Sequence, residues 1–213
     1  MVEFTMLIPI WLPLLIGTLW IGSSMVRGQQ VTQMARDLAS MYSRGVNFST
    51  TGSSASNATL DQITSQLGPL TSSGSGVVIF STITYVGNSY CAGAGNPTYG
   101  TLTPLAHTGA CSNYGSFVFT QQYTFGNTSL RSPTSSFGTP LSADMDADFN
   151  ISAVEAVTHA GNKSTFNLIS PLPLEAGADG YQSGQPIYVV EVYYKNQALA
   201  GYTQGGDYAY AVF

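Results

Sequence analysis

The sequence predicts an α+β fold, a long N-terminal α-helix followed by a mainly antiparallel β domain. Three observations carry this. The chain opens with an uncharged, strongly apolar run from Phe4 to Val26. An amphipathic stripe follows it, in Val31, Met34, Ala35, Leu38, Met41 and Tyr42, with i, i+3, i+4, i+7 spacing. After about residue 68 no helix-length periodic segment appears, and the chain reads as mainly β. The expected division is an assembly helix over 1–45 and a β-rich head over 46–213.

Composition narrows the function. Only 8% of the 213 residues are charged, about a third of the usual share. Six Lys and Arg against eleven acids leave no basic stripe to neutralise phosphates, so nucleic acid is not an expected partner. Two Cys and two His give no zinc or haem-attachment pattern. No Gly-x-Ser-x-Gly elbow, phosphate-binding Gly-rich loop or His-Glu-x-x-His is present. The expectation is a protein that is not an enzyme and needs no cofactor, save the calcium considered below.

The first element decides the class. Twenty-three uncharged residues reach ~35 Å as a helix, enough for a bilayer core of ~30 Å. Leaving some fifteen large apolar side chains in water costs roughly 20–45 kcal/mol, more than the ~5–15 kcal/mol stability of a whole domain. The segment therefore belongs in lipid or in a bundle of helices. Three readings remain open: a secretory signal, a plain membrane anchor, or an assembly helix. A signal wants a basic flank, and the only side-chain charge upstream is Glu3. A lone acid beside a membrane tends to have a partner, and the α-amino group of a neighbouring subunit suits it. On the assembly reading the residues that matter are Glu3, Phe4, Pro9, Trp11, Pro13, Gly17, Trp20 and Gly22. Pro9 and Pro13 should kink or locally unwind the rod, and Gly17 and Gly22 should let rods approach closely. The helix should run on to about residue 44 and stop at Gly45.

The head follows in order. Thr59 to Leu67 reads as a short helix ended by Gly68-Pro69. Val77–Val86 reads as a strand with Val77, Ile79, Ile83 and Tyr85 on one face. Ser116–Phe125 alternates, Phe117, Phe119, Tyr123 and Phe125 opposing Ser116, Thr120, Gln122 and Thr124. Phe149–His159 and Ser164–Ser170 flank Gly161-Asn162 like a hairpin. Pro186–Tyr194 is apolar on both faces, as a central strand would be, and Asp207–Phe213 reads as a last strand.

Three surface features complete the reading. Cys91 and Cys111, 20 residues apart, are expected to form a disulfide around a loop that also carries a surface histidine, His107. Five Asn-x-Ser/Thr sequons, at Asn47, Asn57, Asn127, Asn150 and Asn162, are candidate surface acceptors for sugar. Asp144, Asp146, Asp148, Asn150, Ser152 and Glu155 have the spacing of a calcium-binding loop. Its sixth position is Phe149 where such loops need Gly, and the rival reading is an acidic lead into a strand.

Several of these segments resemble the TadE-like pilin family of tight-adherence, type IV-like pili. The opening Met1-Val-Glu-Phe-Thr-Met-Leu-Ile-Pro-Ile-Trp-Leu-Pro-Leu-Leu-Ile-Gly17 is similar to the family's Val-Glu-Phe-Ala, apolar, Pro, apolar, Gly start. Gly76–Val86, Phe117–Asn127, Ser129–Arg131, Phe137–Pro140 and Pro186–Tyr194 resemble members with a β-rich head. Here the acid is the third residue of the numbered chain, where type IV pilins usually carry it fifth. The resemblance implies a precursor held in the inner membrane, cut by a prepilin peptidase, and drawn by assembly machinery into an extracellular helical filament of identical subunits. The family also includes minor subunits of such filaments.

Overall fold

The computed structural model describes residues 2–46, 48, 54–65, 68, 70–87, 90–91, 111–130, 135–166, 183–195 and 206–213, with side chains omitted at 2–7, 54–57 and 61. It has the expected α+β architecture: a long apolar helix followed by a four-stranded antiparallel sheet. Helix α1 (Val2–Ser43) is a single unbroken element that runs through both Pro9 and Pro13. It ends as its sequence demands. Gly45 takes φ +84°, a conformation that costs glycine nothing. Its N–H donates to Tyr42 O at 3.0 Å, and that of Val46 donates to Met41 O at 3.2 Å. This is a Schellman closure, which satisfies carbonyls the helix leaves open.

Helix α2 (Ser54–Thr64) starts five residues before the expected Thr59 and ends before Gly68, whose φ of +123° turns the chain away. The strands are β1 (Gly76–Tyr85), β2 (Phe117–Gly126), β3 (Pro186–Lys195) and β4 (Gly206–Val212). Their order is β2-β1-β3-β4, so β3 is central as its two-faced apolarity implied, and β4 is an edge.

The sheet is covered on both faces. On one, Val31, Met34, Ala35, Leu38, Ala39 and Tyr42 of α1 pack with Leu60 of α2 over Val78, Phe80, Tyr123, Val190, Val192 and Ala211. On the other, Cys91, Cys111, Ile151, Ala156, Val157 and Phe166 close over Ile83, Val118, Phe119 and Val189. Strand β1 is therefore buried along its whole length.

Two local expectations fail, each for a physical reason. Phe117, Phe119, Tyr123 and Phe125 do not share a face. The register shifts at Thr82/Ile83, where Gln121 faces Thr82 and Phe119 faces Ile83, leaving Thr120 as an extra residue. Such a bulge reverses side-chain parity. Phe119 therefore joins the core away from α1, whereas Tyr123 and Phe125 join the core beneath it. The Phe149–His159 hairpin arm is likewise replaced by helix α3 (Ala153–Thr158). Ser152 caps it: its Oγ accepts from Glu155 N and donates to Glu155 Oε2 at 2.9 Å. The Ser-x-x-Glu spacing at 152–155 is a helix-start signature that strand-like composition concealed.

Candidate functional site

Helix α1 divides into two environments. From Val31 to Tyr42 one face is buried against the sheet. From Ile8 to Val26 nothing in the chain covers it among the described residues. Twelve large apolar side chains there, from Ile8 through Trp11, Leu14, Leu19 and Trp20 to Val26, are 39–69% exposed. Sheltering the area still open in these twelve is worth roughly 10–20 kcal/mol, comparable with the stability of the domain itself. The helix is long and apolar enough to cross a membrane.

Two of its hydroxyls are turned inward. Thr18 Oγ1 donates to Leu15 O and Ser23 Oγ to Trp20 O, each at 2.9 Å. Hydroxyls satisfied by their own helix present no polar demand to lipid or to a neighbouring helix. A Cβ added at Gly17, Gly22 or Gly28 would meet no atom within 4 Å. Among the described residues nothing in the chain's own packing therefore requires glycine there. By helical period Gly17, Ser24 and Gly28 lie on the face that lower down becomes Val31, Ala35 and Leu38. One continuous face is thus small-residue above and head-packed below.

Of the expected assembly residues, Pro9, Trp11, Pro13, Gly17, Trp20 and Gly22 all lie on this bare half. Glu3 and Phe4 lie in the first turn of α1, with side chains outside the described residues. The ladder loses one donor at each proline, yet the helix continues.

The junction between the two halves and the head depends on a residue that sequence reading treated only as part of the stripe. Tyr42 OH bonds Thr82 Oγ1 at 2.6 Å and donates to Gln121 Oε1 at 2.8 Å. Its ring stands edge-on to Phe80 at 5.4 Å and Tyr188 at 5.1 Å. Burial pushes the Tyr42 phenol up to about 12. The signal available in sequence was an aromatic with a polar tip closing the stripe just before the terminating glycine. Glu191 was also missed. It is buried at the centre of β3, where Ser136 N donates to it at 2.8 Å and Tyr208 OH at 2.6 Å, and Ser135 Oγ bonds it too. A single acid in an otherwise apolar strand was its signal.

The head places the remaining candidates as follows. Cys91 and Cys111 form the disulfide and are fully buried; residues 92–110, His107 among them, lie outside the described residues. Of the sequons, Asn47 lies outside them too, and Asn57 lies within α2 with its side chain outside. Asn127 Nδ2 donates to Gly74 O at 2.9 Å, and Asn150 is exposed. Asn162 is not a surface residue. It is fully buried, its amide donating to Asp144 Oδ2 at 2.7 Å and its oxygen accepting from Leu141 N at 2.9 Å. It serves as an internal strut because the chain around it folds as short helices instead of a hairpin.

The acidic run is engaged with its own neighbours. His159 Nδ1 and Asn162 Nδ2 both lie 2.7 Å from Asp144 Oδ2, and the bond to His159 holds the Asp144 carboxyl below its ordinary range. Asp146 Oδ1 accepts from the backbone N–H of Asn150 and of Asp148, which lowers it likewise. Glu155 serves the α3 cap. Phe149 takes φ +62° and so makes the sharp turn that its lack of glycine argued against. Among the described residues no three His, Cys, Asp or Glu side chains gather as a metal site.

Comparison with known protein families, with curated proteins and with solved structures finds no match. Fold and site together define a β head carried on a long apolar helix, one half of which is bare among the described residues.

Proposed function

We propose that this chain is a structural subunit of an extracellular TadE-like or type IV-like pilus filament, polymerised through the bare half of α1 and serving surface attachment. One observation carries the reading: twelve large apolar side chains, uncovered among the described residues, on one unbroken helix that continues to the head. A helix of this kind waits in the membrane and then enters a bundle of identical helices. Lipid is as apolar as Leu, so the hydrophobic term nearly cancels in that exchange. Close packing at Gly17 and Gly22 and a pair between Glu3 and a neighbour's α-amino group then set the balance. A head-to-tail contact that does not close on itself yields a fibre. By the family resemblance, a prepilin peptidase and an assembly machine act on the membrane-held precursor.

A second reading, a single-pass anchor carrying a β head, draws on the length and apolarity of the same helix. A minor, tip or initiating subunit is the variant of the first. The test is shear recovery of surface fibres with mass spectrometry of their subunits and of the N-terminus. A filament subunit is recovered in the fibres with residues 4–26 intact, in bulk if major and in trace if minor. An anchor stays in the detergent extract and is absent from fibres. Recovery of the intact chain as a dispersed molecule without detergent, or loss of residues 4–26 on export, overturns both.

A further inference from the structure

The bare half of α1 and one end of the sheet finish at the same level. Tyr42 closes the buried stripe beside Thr82 of β1 and Tyr188 of β3. Other sheet residues of the same core, Val78, Val192 and Tyr194, lie toward the start of β1 and the end of β3. The helix therefore runs back from Tyr42 toward that end. At ~1.5 Å per residue Val26, the last of the bare apolar side chains, lies ~24 Å back along the helix. At ~3.3 Å per residue Gly76, the first residue of β1, lies ~20 Å back from Thr82. The sheet thus stops about where the apolar run stops, and Arg27 follows as the first charge after that run.

Three described segments meet at this near end. Asn127 Nδ2 donates to Gly74 O and Asn127 N to Gly76 O, each at 2.9 Å. The turn at 71–74 before β1 and the short helical turn Thr128–Leu130 after β2 therefore stand side by side. Lys195 ends β3 opposite Gly206, where β4 begins. Thr71, Ser72, Ser73, Thr128, Ser129 and Lys195 are exposed among the described residues. They offer hydroxyls and one ammonium. The acidic run is held farther off. Asp148 O accepts from Gln121 Nε2, and Asp146 accepts from Asn150, which bridges Gln121, so both stand level with Thr82. Asp144 is tied to Asn162, whose neighbour Lys163 bridges Val118 opposite Thr84. These acids lie ~20 Å or more from Gly76 along the strands, beyond two Debye lengths of ~8 Å. Asp207, opposite Tyr194, is the acid of β4 at the near end and is half-buried.

We propose that this end of the head rests on the phospholipid headgroup layer of the bilayer that holds α1. The occupant is argued from continuity with the apolar run and from charge. With Val26 at the edge of the hydrocarbon core, a headgroup layer of ~5–7 Å takes in the turn at 71–74, the turn at 128–130 and Lys195. Their hydroxyls and ammonium meet phosphate and glycerol oxygens, while the acidic run stays clear of an anionic surface that would repel it. The opposite end, where Cys91 follows β1, then points away from the membrane. The inference rests on α1 lying in lipid, which the precursor of a filament subunit and a single-pass anchor share.

The test uses the full chain in vesicles of phosphatidylcholine with a minor share of phosphatidylglycerol. Trp11 and Trp20 are the only tryptophans, and both lie on the bare half. Quenching of their fluorescence by brominated acyl chains therefore reads insertion of the helix by itself. A fluorophore on Lys195→Cys, Ser72→Cys or Lys163→Cys, quenched by nitroxide on the lipid headgroup, reads the placement of the head. Strong quenching at 195 and 72 with little at 163 is the expected result. Two near-end positions are read so that a label disturbing one leaves the other. Quenched tryptophans with 195 and 72 quenched no more than 163 overturn the proposal and leave the lipid reading standing. Equal strong quenching at all three positions also overturns it, because the head then lies flat on the surface. Unquenched tryptophans overturn the lipid reading and this proposal together.

Discussion

The two halves of α1 are one helix with one composition bias toward apolar residues, yet they differ in what apolarity accomplishes. Below residue 31 a stripe of six side chains is buried on the sheet, while Gln33, Arg36 and Asp37 on the other flank face water. Above residue 27 apolar side chains point in all directions and remain exposed. The lower half is amphipathic because its partner is a single surface. The upper half is apolar all round because whatever surrounds it does so on every side. The contrast separates intramolecular folding from intermolecular fate along one rod, and it says where each can be broken without touching the other.

The largest effect should come from removing the upper half. A chain beginning at Arg27 should leave the detergent or fibre fraction for the aqueous one, with the unfolding free energy of the head shifted by less than about 0.5 kcal/mol. Fractionation combined with denaturant unfolding reads both quantities. A large loss of head stability would show that the halves are not separable.

The converse comes from Leu38→Ala. Leu38 is fully buried between α1 and the sheet, so the substitution should cost about 2–5 kcal/mol in urea unfolding and leave membrane retention unchanged. A cost near zero would mean that α1 does not contribute to the head's core.

Tyr42 ties the halves to the sheet and gives a pH signature. Below about pH 10 its hydroxyl is neutral in both folded and unfolded chains, and its contribution to stability is whole. From there up toward about 12 only the unfolded chain ionises, so that contribution, of order 2–3 kcal/mol, is progressively lost. Tyr42→Phe removes this alkaline loss. It should also destabilise by about 1–3 kcal/mol at neutral pH, because Thr82 and Gln121 lose a buried partner. Unfolding curves measured at pH 8 and pH 11 for both proteins check the two effects together.

The smallest effect on folding should come from Gly22→Ala. The added methyl meets nothing among the described residues, so head stability should stay within about 0.5 kcal/mol of the parent. Fibre yield, or cross-linking of one helix to another, should nevertheless fall. Unchanged assembly would show that no neighbouring helix approaches there.

Much of this is legible in the sequence. The ends of α1 follow from the apolar run, the stripe and Gly45. Strands β1, β3 and β4 lie within a residue of where composition puts them. The disulfide follows from two cysteines alone. What was not legible depends on single residues whose meaning is set at a distance. Thr120 is an ordinary strand residue until Thr82 and Ile83 across the ladder leave it without a place. Asn162 reads as a sugar acceptor until Leu141 N and Asp144, from another part of the chain, close around it. Glu191 stands out in sequence only as the one acid of its strand, and its role appears when Tyr208 of the edge strand donates to it.

Periodicity and composition are local quantities, read over a turn of helix or a pair of strand residues. They were enough to establish the rod, the sheet and the part of the rod that must be covered, because burying apolar area is favourable whatever the partner. Hydrogen bonding is directional and needs a particular atom at a particular place. The side on which each aromatic ring lies and the asparagine that is internal were therefore settled only when distant segments met.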